Sequence, residues 1–317
     1  RSIGARDLEG HALNTLGVTL AGAGEADAAE DAIDTALAIA KELGLADDIG
    51  RAYVNRGDIL AWIGYPERAL ESTLRGIEEV TERGMGSSYG PYLRYGAVSF
   101  AHECGAWDTA AELLAEADRT ASPSAGIEAY RAEYCLGFLV DSGSPEAADV
   151  WNEARAAQSQ EPPSGTWGPA FVAAVEGAAM DDRHAEAVEI ALEGLALLAQ
   201  TDVPARPIRL ARAAAWPVAD LAVMARAAGN DEAVGAAREQ MDQLVQRIAP
   251  SAERALDQAQ EAYRSGRLMF LELVDAQRTF NDVTLRTMEL RRDLALAEAD
   301  LMSLLGAGPY ADIGEEQ

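Results

Sequence analysis

A turn signal recurs along the chain at Gly24, Gly64, Gly105, Gly143, Asp182 and Gly229, in steps of 40, 41, 38, 39 and 47 residues. From the second onward each is followed within a few residues by an alanine- and leucine-rich run: PERALESTL, WDTAAELL, PEAADVW, HAEAVEIAL and DEAVGAAREQM. A fixed period of this size marks units that cannot bury their apolar face alone and must stack on neighbours of their own kind. The first unit, Gly10 to Leu43, shows what the unit is. Leu13, Leu16, Gly17 and Leu20 fall at i, i+3, i+4 and i+7, the Gly22 to Gly24 stretch interrupts the pattern, and Ala29, Ile33, Ala36 and Leu37 form a second stripe. Two helices joined by a turn are expected, with small residues such as Gly17 and Ala29 where the backbones approach. The expected fold is all-α: an α-solenoid of about six helical hairpins over residues 1–230.

Composition agrees with small-residue helix packing. Hydrophobic residues make up 49% of the chain and aromatics only 6%, with alanine filling helix after helix. The formal net charge is −27 and is spread along the length, with 7 Arg against 13 Asp and Glu after residue 250 and 19 basic against 40 acidic residues before it. Such a surface repels phosphate backbones and anionic lipid, so direct nucleic-acid binding is not expected, while basic or neutral partners are favoured. Cys104 and Cys135 lie inside helical patterns and read as buried reduced thiols. Apolar windows are interrupted, as by Arg212, Asp220 and Arg226 between Leu210 and Ala228, so no membrane span is expected.

The unit repeats from Arg51 to Gly84 with Tyr53, Gly57, Leu60, Gly64, Ala69 and Leu70, and more loosely from Tyr92 to Arg119 with Phe100, Gly105, Trp107 and Ala110. Later units drift. SQEPPSGTWGP separates the fourth from the fifth, and Pro217 falls inside the first helix of the sixth, where a kink is expected. These residues resemble tetratricopeptide repeats. With phrases such as CGAWDTAAELLAEA, residues 8–247 are similar to the repeat region of LuxR-type and MalT-like bacterial transcription regulators. In that family the repeats act as a sensing scaffold between a nucleotide-binding domain and a helix-turn-helix. Neither a GxxxxGK[ST] loop nor a recognition helix is present here, so the sensor role is implied and transcription control is not.

The C-terminal part reads differently. Leu273, Ala276, Phe280, Val283, Thr287, Leu290, Leu294, Ala297, Leu301 and Leu304 alternate by three and four, a heptad seam about 48 Å long at 1.5 Å per residue. Asp231 to Arg264 and Phe270 to Leu305 have nearly equal lengths, so residues 231–306 are expected to form a long antiparallel coiled-coil hairpin with a bend at Pro250, followed by an acidic tail, 307–317. PSAERALDQAQEAYRSGRLMFLELVDAQRTFND and the closing LMSLLG are similar to the C-terminal hairpin of TolC-like outer-membrane efflux proteins over residues 249–306. That resemblance implies a hairpin tip at Tyr263, Gly266, Phe270, Leu271 and Asp275, where the tunnel of such a protein meets its adaptor. A recombined chain with its seam near Val245 to Pro250 accounts for both resemblances.

Candidate chemistry is sparse. GSSYG, Gly86 to Gly90, fits GxSxG but lies between helical patterns and runs into Pro91, so Ser88 is expected in a loop rather than on a nucleophile elbow. His11, His102 and His184 are scattered with no metal-ligand spacing, and GAGEAD lacks the third glycine of a nucleotide loop. No catalytic residue, metal or cofactor is expected. The functional candidate is the face lined by the first helix of each unit: His11 and Asn14, then Arg51, Asn55 and Asp58, then Tyr92, Tyr95 and His102, then Tyr130 and Glu133. Aromatic rings give contact area at low entropic cost, and the polar groups suit an extended or helical peptide. Asn55 matches the asparagine of carboxylate-clamping repeats, but the accompanying lysines are absent, which disfavours capture of a terminal carboxylate. The expected function is a cytoplasmic protein- or peptide-binding scaffold, with self-association through the C-terminal hairpin as a further option. The alternatives are a TolC-type efflux component at the periplasm or outer membrane, and the sensor region of a LuxR-type regulator.

Overall fold

A computed structural model describes residues 5–122, 124–158, 168–198 and 205–264. Among them are twelve helices and no strand: α1 (Arg6–Gly22), α2 (Ala26–Leu43), α3 (Ala46–Trp62), α4 (Pro66–Glu82), α5 (Gly90–Glu103), α6 (Trp107–Thr120), α7 (Ala125–Asp141), α8 (Ala147–Gln158), α9 (Gly168–Met180), α10 (His184–Leu198), α11 (Ala205–Ala227) and α12 (Asp231–Arg264). The chain divides into two compact units, Arg1–Ala214 and Ala215–Gln317.

The recurrent turn signal is a hydrogen-bonding signal. Gly24, Gly64, Gly105, Gly143 and Gly229 all have φ between 64° and 91°, and Asp182, at 58°, is the one non-glycine with positive φ among the described residues. Each turn closes in the same way. The residue after the left-handed one donates to the carbonyl five positions back: Glu25 to Leu20, Tyr65 to Leu60, Ala106 to Ala101, Ser144 to Leu139, Arg183 to Ala178 and Asn230 to Ala225, all at 2.8 to 2.9 Å. The left-handed residue itself donates to the carbonyl three back, as Gly24 does to Ala21 and Asp182 to Ala179. This paired arrangement satisfies the carbonyls that a helix end leaves open and requires a left-handed residue, which glycine supplies without a Cβ clash and aspartate tolerates better than most.

Within the first unit, helices pair as α1 with α2, α3 with α4, α5 with α6, α7 with α8 and α9 with α10, and the odd-numbered helices also pack in succession, α1 on α3, α3 on α5, α5 on α7 and α7 on α9. The second stripe of the first hairpin is buried as its pattern requires: Ala29 and Ile33 are fully buried and Ala36 nearly so. The first stripe needs correction, because Leu16 is 46% exposed and Leu13 and Leu20 are half-buried. The buried row of α1 is Gly10, Asn14 and Gly17, and Leu16 stands one residue, about 100°, off it. The glycines allow the close approach. A Cβ on Gly17 would stand 3.2 Å from the Ala29 carbonyl oxygen and from Ile59 Cδ1, and one on Gly57, at the same place in α3, would stand 2.6 Å from Thr73 Oγ1.

Polar ties reinforce the stacking. Lys41 donates to the Tyr53 hydroxyl at 2.9 Å, that hydroxyl donates to Glu79 at 2.8 Å, and Lys41 pairs with Glu79 at 2.7 Å, so α2, α3 and α4 are joined at one point. Cys135 is buried and Cys104 half-buried, both as free thiols.

In the second unit, α12 is a 34-residue helix ending at Arg264 and includes Pro250, while α11 includes Pro217. The expected return arm, Phe270 to Leu305, lies outside the described residues, as does most of SQEPPSGTWGP.

Candidate functional site

Because the odd-numbered helices of the first unit pack in succession, residues on one row of each come together on a common face. On α5 the row is Tyr92, Gly96, Ser99 and Glu103; on α7 it is Tyr130, Glu133, Tyr134, Gly137 and Asp141. The contacts recur at the sequence period: His11 meets Arg51 40 residues on, and Asn14 meets Asn55 41 residues on.

At the α1–α3 end the polar groups are engaged with one another. Arg51 lies with its Nη1 2.7 Å from His11 Nε2 and its Nη2 2.6 Å from His11 Nδ1, and it also donates to Asp48 at 2.9 Å. Asn14 is buried and its side-chain oxygen accepts a hydrogen bond from Asn55. His11 is exposed, and its Nδ1 stands 3.2 Å from Asp48.

The middle of the face is aromatic. Tyr130 and Tyr134 stack with ring centroids 4.3 Å apart, Tyr92 meets Tyr130 edge-on at 5.0 Å, and Phe100 meets Tyr134 edge-on at 6.5 Å. The Tyr134 hydroxyl donates to Asp58 at 2.8 Å. That bond joins α7 to α3 across α5. Tyr92, Tyr130, Tyr134 and Asp58 are each half-buried. Burial pushes the Asp58 carboxyl up to about 7, only partly offset by the Tyr134 hydrogen bond. The Tyr130 and Tyr134 phenols are raised as well, by burial and by the nearby Asp58 and Glu133 charges.

Tyr95 is placed elsewhere. It is 1% exposed, its hydroxyl donates to Asp118 of α6 at 2.9 Å, and Asp118 also accepts hydrogen bonds from Nε and Nη2 of Arg131 from α7. Burial, with Asp118 beside it, raises its phenol too. Tyr95 therefore fastens α5 to α6 and offers no surface, because it lies three residues past Tyr92 on the side of α5 turned to its hairpin partner. His102 is half-buried against Trp107, with ring centroids 4.9 Å apart, and its Nε2 stands 3.0 Å from Asp141. Glu133 sits beside the stacked pair on α7. Of the hairpin-tip residues, Tyr263 is in α12, and Gly266, Phe270, Leu271 and Asp275 lie outside the described residues.

Tyr134, Glu103 and Glu176 are the residues missed in the sequence. Tyr134 was legible as the i+4 neighbour of Tyr130 on one helical row. Glu103 and Glu176 extend the face toward α9 and α11, where burial raises both carboxyls and the charge of Arg209 opposes the rise.

Ser88 lies in the turn between α4 and α5, its N–H bonded to the Met85 carbonyl, with a helix and not a strand before it. Between the fourth and fifth hairpins, where α8 makes only slight contact with α9, a cleft of about 290 Å³ is lined by Leu136, Val140, Trp151, Ala174, Gly177 and Ile190 among others. Among the described residues, no group of three or more His, Cys, Asp or Glu could hold a metal ion, and no helix is long and apolar enough to cross a membrane. Neither a family model nor a curated protein matches this chain.

Proposed function

We propose that the chain is a non-catalytic, tetratricopeptide-like α-solenoid that holds a protein or peptide along the face of its odd-numbered helices. The observation that carries this reading is the cluster of half-buried Tyr92, Tyr130, Tyr134 and Asp58, built from α3, α5 and α7 with Asp58 reaching Tyr134 across α5. Half-buried tyrosines packed ring against ring, one of them with its hydroxyl on Asp58, are rigid contact area, the composition that dominates binding energy at protein interfaces. Helical hairpins joined by one repeated turn give such a face a fixed spacing, which suits an elongated ligand better than a compact one.

The reading is tested by selecting a displayed random peptide library against the whole chain. Tyr130→Ala should weaken binding of the enriched peptides by about tenfold, while Glu71→Ala, on the exposed side of α4, should leave it intact. Peptides that bind the Tyr130→Ala chain as well as the parent would overturn the assignment.

A further inference from the structure

We propose that the aromatic cluster at α3, α5 and α7 takes a cationic side chain of the partner, an alkylammonium or guanidinium group, against Tyr92, Tyr130 and Tyr134 with Asp58 as its countercharge. This rests on the peptide-holding reading above and names the chemistry that the same site selects.

Three observations lead there. The first is the aromatic arrangement. A stacked pair at 4.3 Å with a third ring edge-on at 5.0 Å gathers three half-buried π-systems into one array, and ring faces attract a cation through their quadrupoles. The second is Asp58. Among the described residues its hydrogen-bond partner is the Tyr134 phenol, and no cation is paired with it. A half-buried carboxylate held only by a neutral hydroxyl is poorly compensated, and a ligand that brings positive charge supplies what the site lacks.

The third is what surrounds the cluster. Arginines near it are already matched: Arg51 on the face with Asp48, and, on the side turned to α6, Arg131 with Asp118 and Arg94 with Glu116 at 2.7 Å. Carboxylates exceed cations here as they do in the whole chain, where 53 Asp and Glu stand against 26 Lys and Arg. An acidic side chain would meet Asp58 head-on. A neutral apolar one would bury Asp58 without compensation. Positive charge on an apolar stem satisfies both rings and carboxylate, the stem lying along the phenols as long basic side chains do.

The test uses the whole chain with 3-fluorotyrosine at its nine tyrosines, followed by fluorine NMR and assigned by single tyrosine-to-phenylalanine replacements. The probes are Nα-acetyl-arginine methylamide, Nα-acetyl-lysine methylamide and the uncharged Nα-acetyl-norleucine methylamide. Measurements are made at about 0.15 M salt, where the screening length is about 8 Å and diffuse attraction to an acidic surface is damped. A basic probe should shift the Tyr92, Tyr130 and Tyr134 resonances saturably and bind about tenfold more tightly than norleucine, and Asp58→Asn should weaken it by about fivefold or more. The inference is overturned if norleucine binds equally, if the basic probes move all nine tyrosines alike, if no saturable shift occurs, or if Asp58→Asn and Tyr130→Leu both leave binding unchanged while the melting curve shows a folded chain.

The two readings fail separately. Library peptides that depend on Tyr130 but contain no lysine or arginine overturn the cation inference and leave the peptide-holding face standing. Saturable basic probes with no enriched peptide do the reverse.

Discussion

The α1–α3 end of the face and its α3–α5–α7 middle are built from the same kind of helical row, yet they differ in how their polar groups are satisfied. At the end, His11, Asp48 and Arg51 contact one another and Asn14 is bonded to Asn55, so apart from the buried Arg51 Nε the polar groups largely engage one another. In the middle, Asp58 has a phenol for company and three tyrosines stand half-buried around it. A face whose polar groups are mutually engaged stiffens a stack of helices. One that leaves a carboxylate without a cation keeps an interaction in reserve. On the proposed reading, the difference separates residues that hold the repeats together from residues that hold a partner, and sequence position alone treats them alike.

The largest expected effect tests whether the middle is the tighter of the two. Gly57 and Gly17 occupy matching places in α3 and α1, but a Cβ at Gly57 would meet Thr73 Oγ1 at 2.6 Å and Phe100 at 3.0 Å, against nothing nearer than 3.2 Å at Gly17. Gly57→Val should lower stability by about 3 kcal/mol, and Gly17→Val by about 1–2 kcal/mol, in denaturant titrations followed by circular dichroism. Equal losses would remove the packing contrast.

Asp58 gives the next. Its carboxyl is raised to about 7 in the folded chain from an ordinary value of 3.8, so the native state binds the proton more tightly than the unfolded one. The stability this contributes is fully present below the unfolded value and is lost as pH rises through about 7. Asp58→Asn, which keeps an oxygen for Tyr134, should match the parent near pH 4 and exceed it above pH 7. With allowance for the group's partial exposure, the gain is on the order of 1–2 kcal/mol. A stability difference that does not change with pH would show that Asp58 is no more strained than the groups at the α1–α3 end. In binding, Tyr130→Ala should weaken a library-derived peptide by about tenfold, or about 1.4 kcal/mol, measured by titration calorimetry.

Much of the fold was legible because turn chemistry is local. Gly24, Gly64, Gly105, Gly143 and Gly229 announced left-handed backbone, and even Asp182 kept the place and the hydrogen bonds of the glycine it replaces. The second stripe of the first hairpin was legible for a similar reason, since Ala29, Ile33 and Ala36 are spaced for one face. Leu16 was not, because α1 buries its small residues and turns its leucines partly outward, the reverse of what hydrophobicity suggests. At the site, helical spacing put Tyr92 and Tyr130 on one face and could have added Tyr134. It could not separate Tyr92 from Tyr95, three residues apart on α5, because which of them faces Asp118 depends on where α6 lies. Nor could spacing show that Asp58 reaches over α5 to α7, a contact between residues 76 apart that exists only once three hairpins have stacked.

The smallest effect belongs to the self-satisfied end and is the sharpest check on the comparison. His11 lies on the same row as the tyrosines, and its ring is exposed enough for a ligand to touch. Its contacts are with Arg51 and Asp48, and these two keep each other at 2.9 Å when the ring is removed. An exposed polar contact of this kind is worth a few tenths of a kcal/mol at most. His11→Ala should therefore change stability by less than about 0.5 kcal/mol and peptide affinity by less than about twofold. If instead His11→Ala weakens the peptide as strongly as Tyr130→Ala does, the bound segment runs the full length from α1 to α7. The contrast between a closed end and an open middle would then have to be abandoned in favour of one continuous groove.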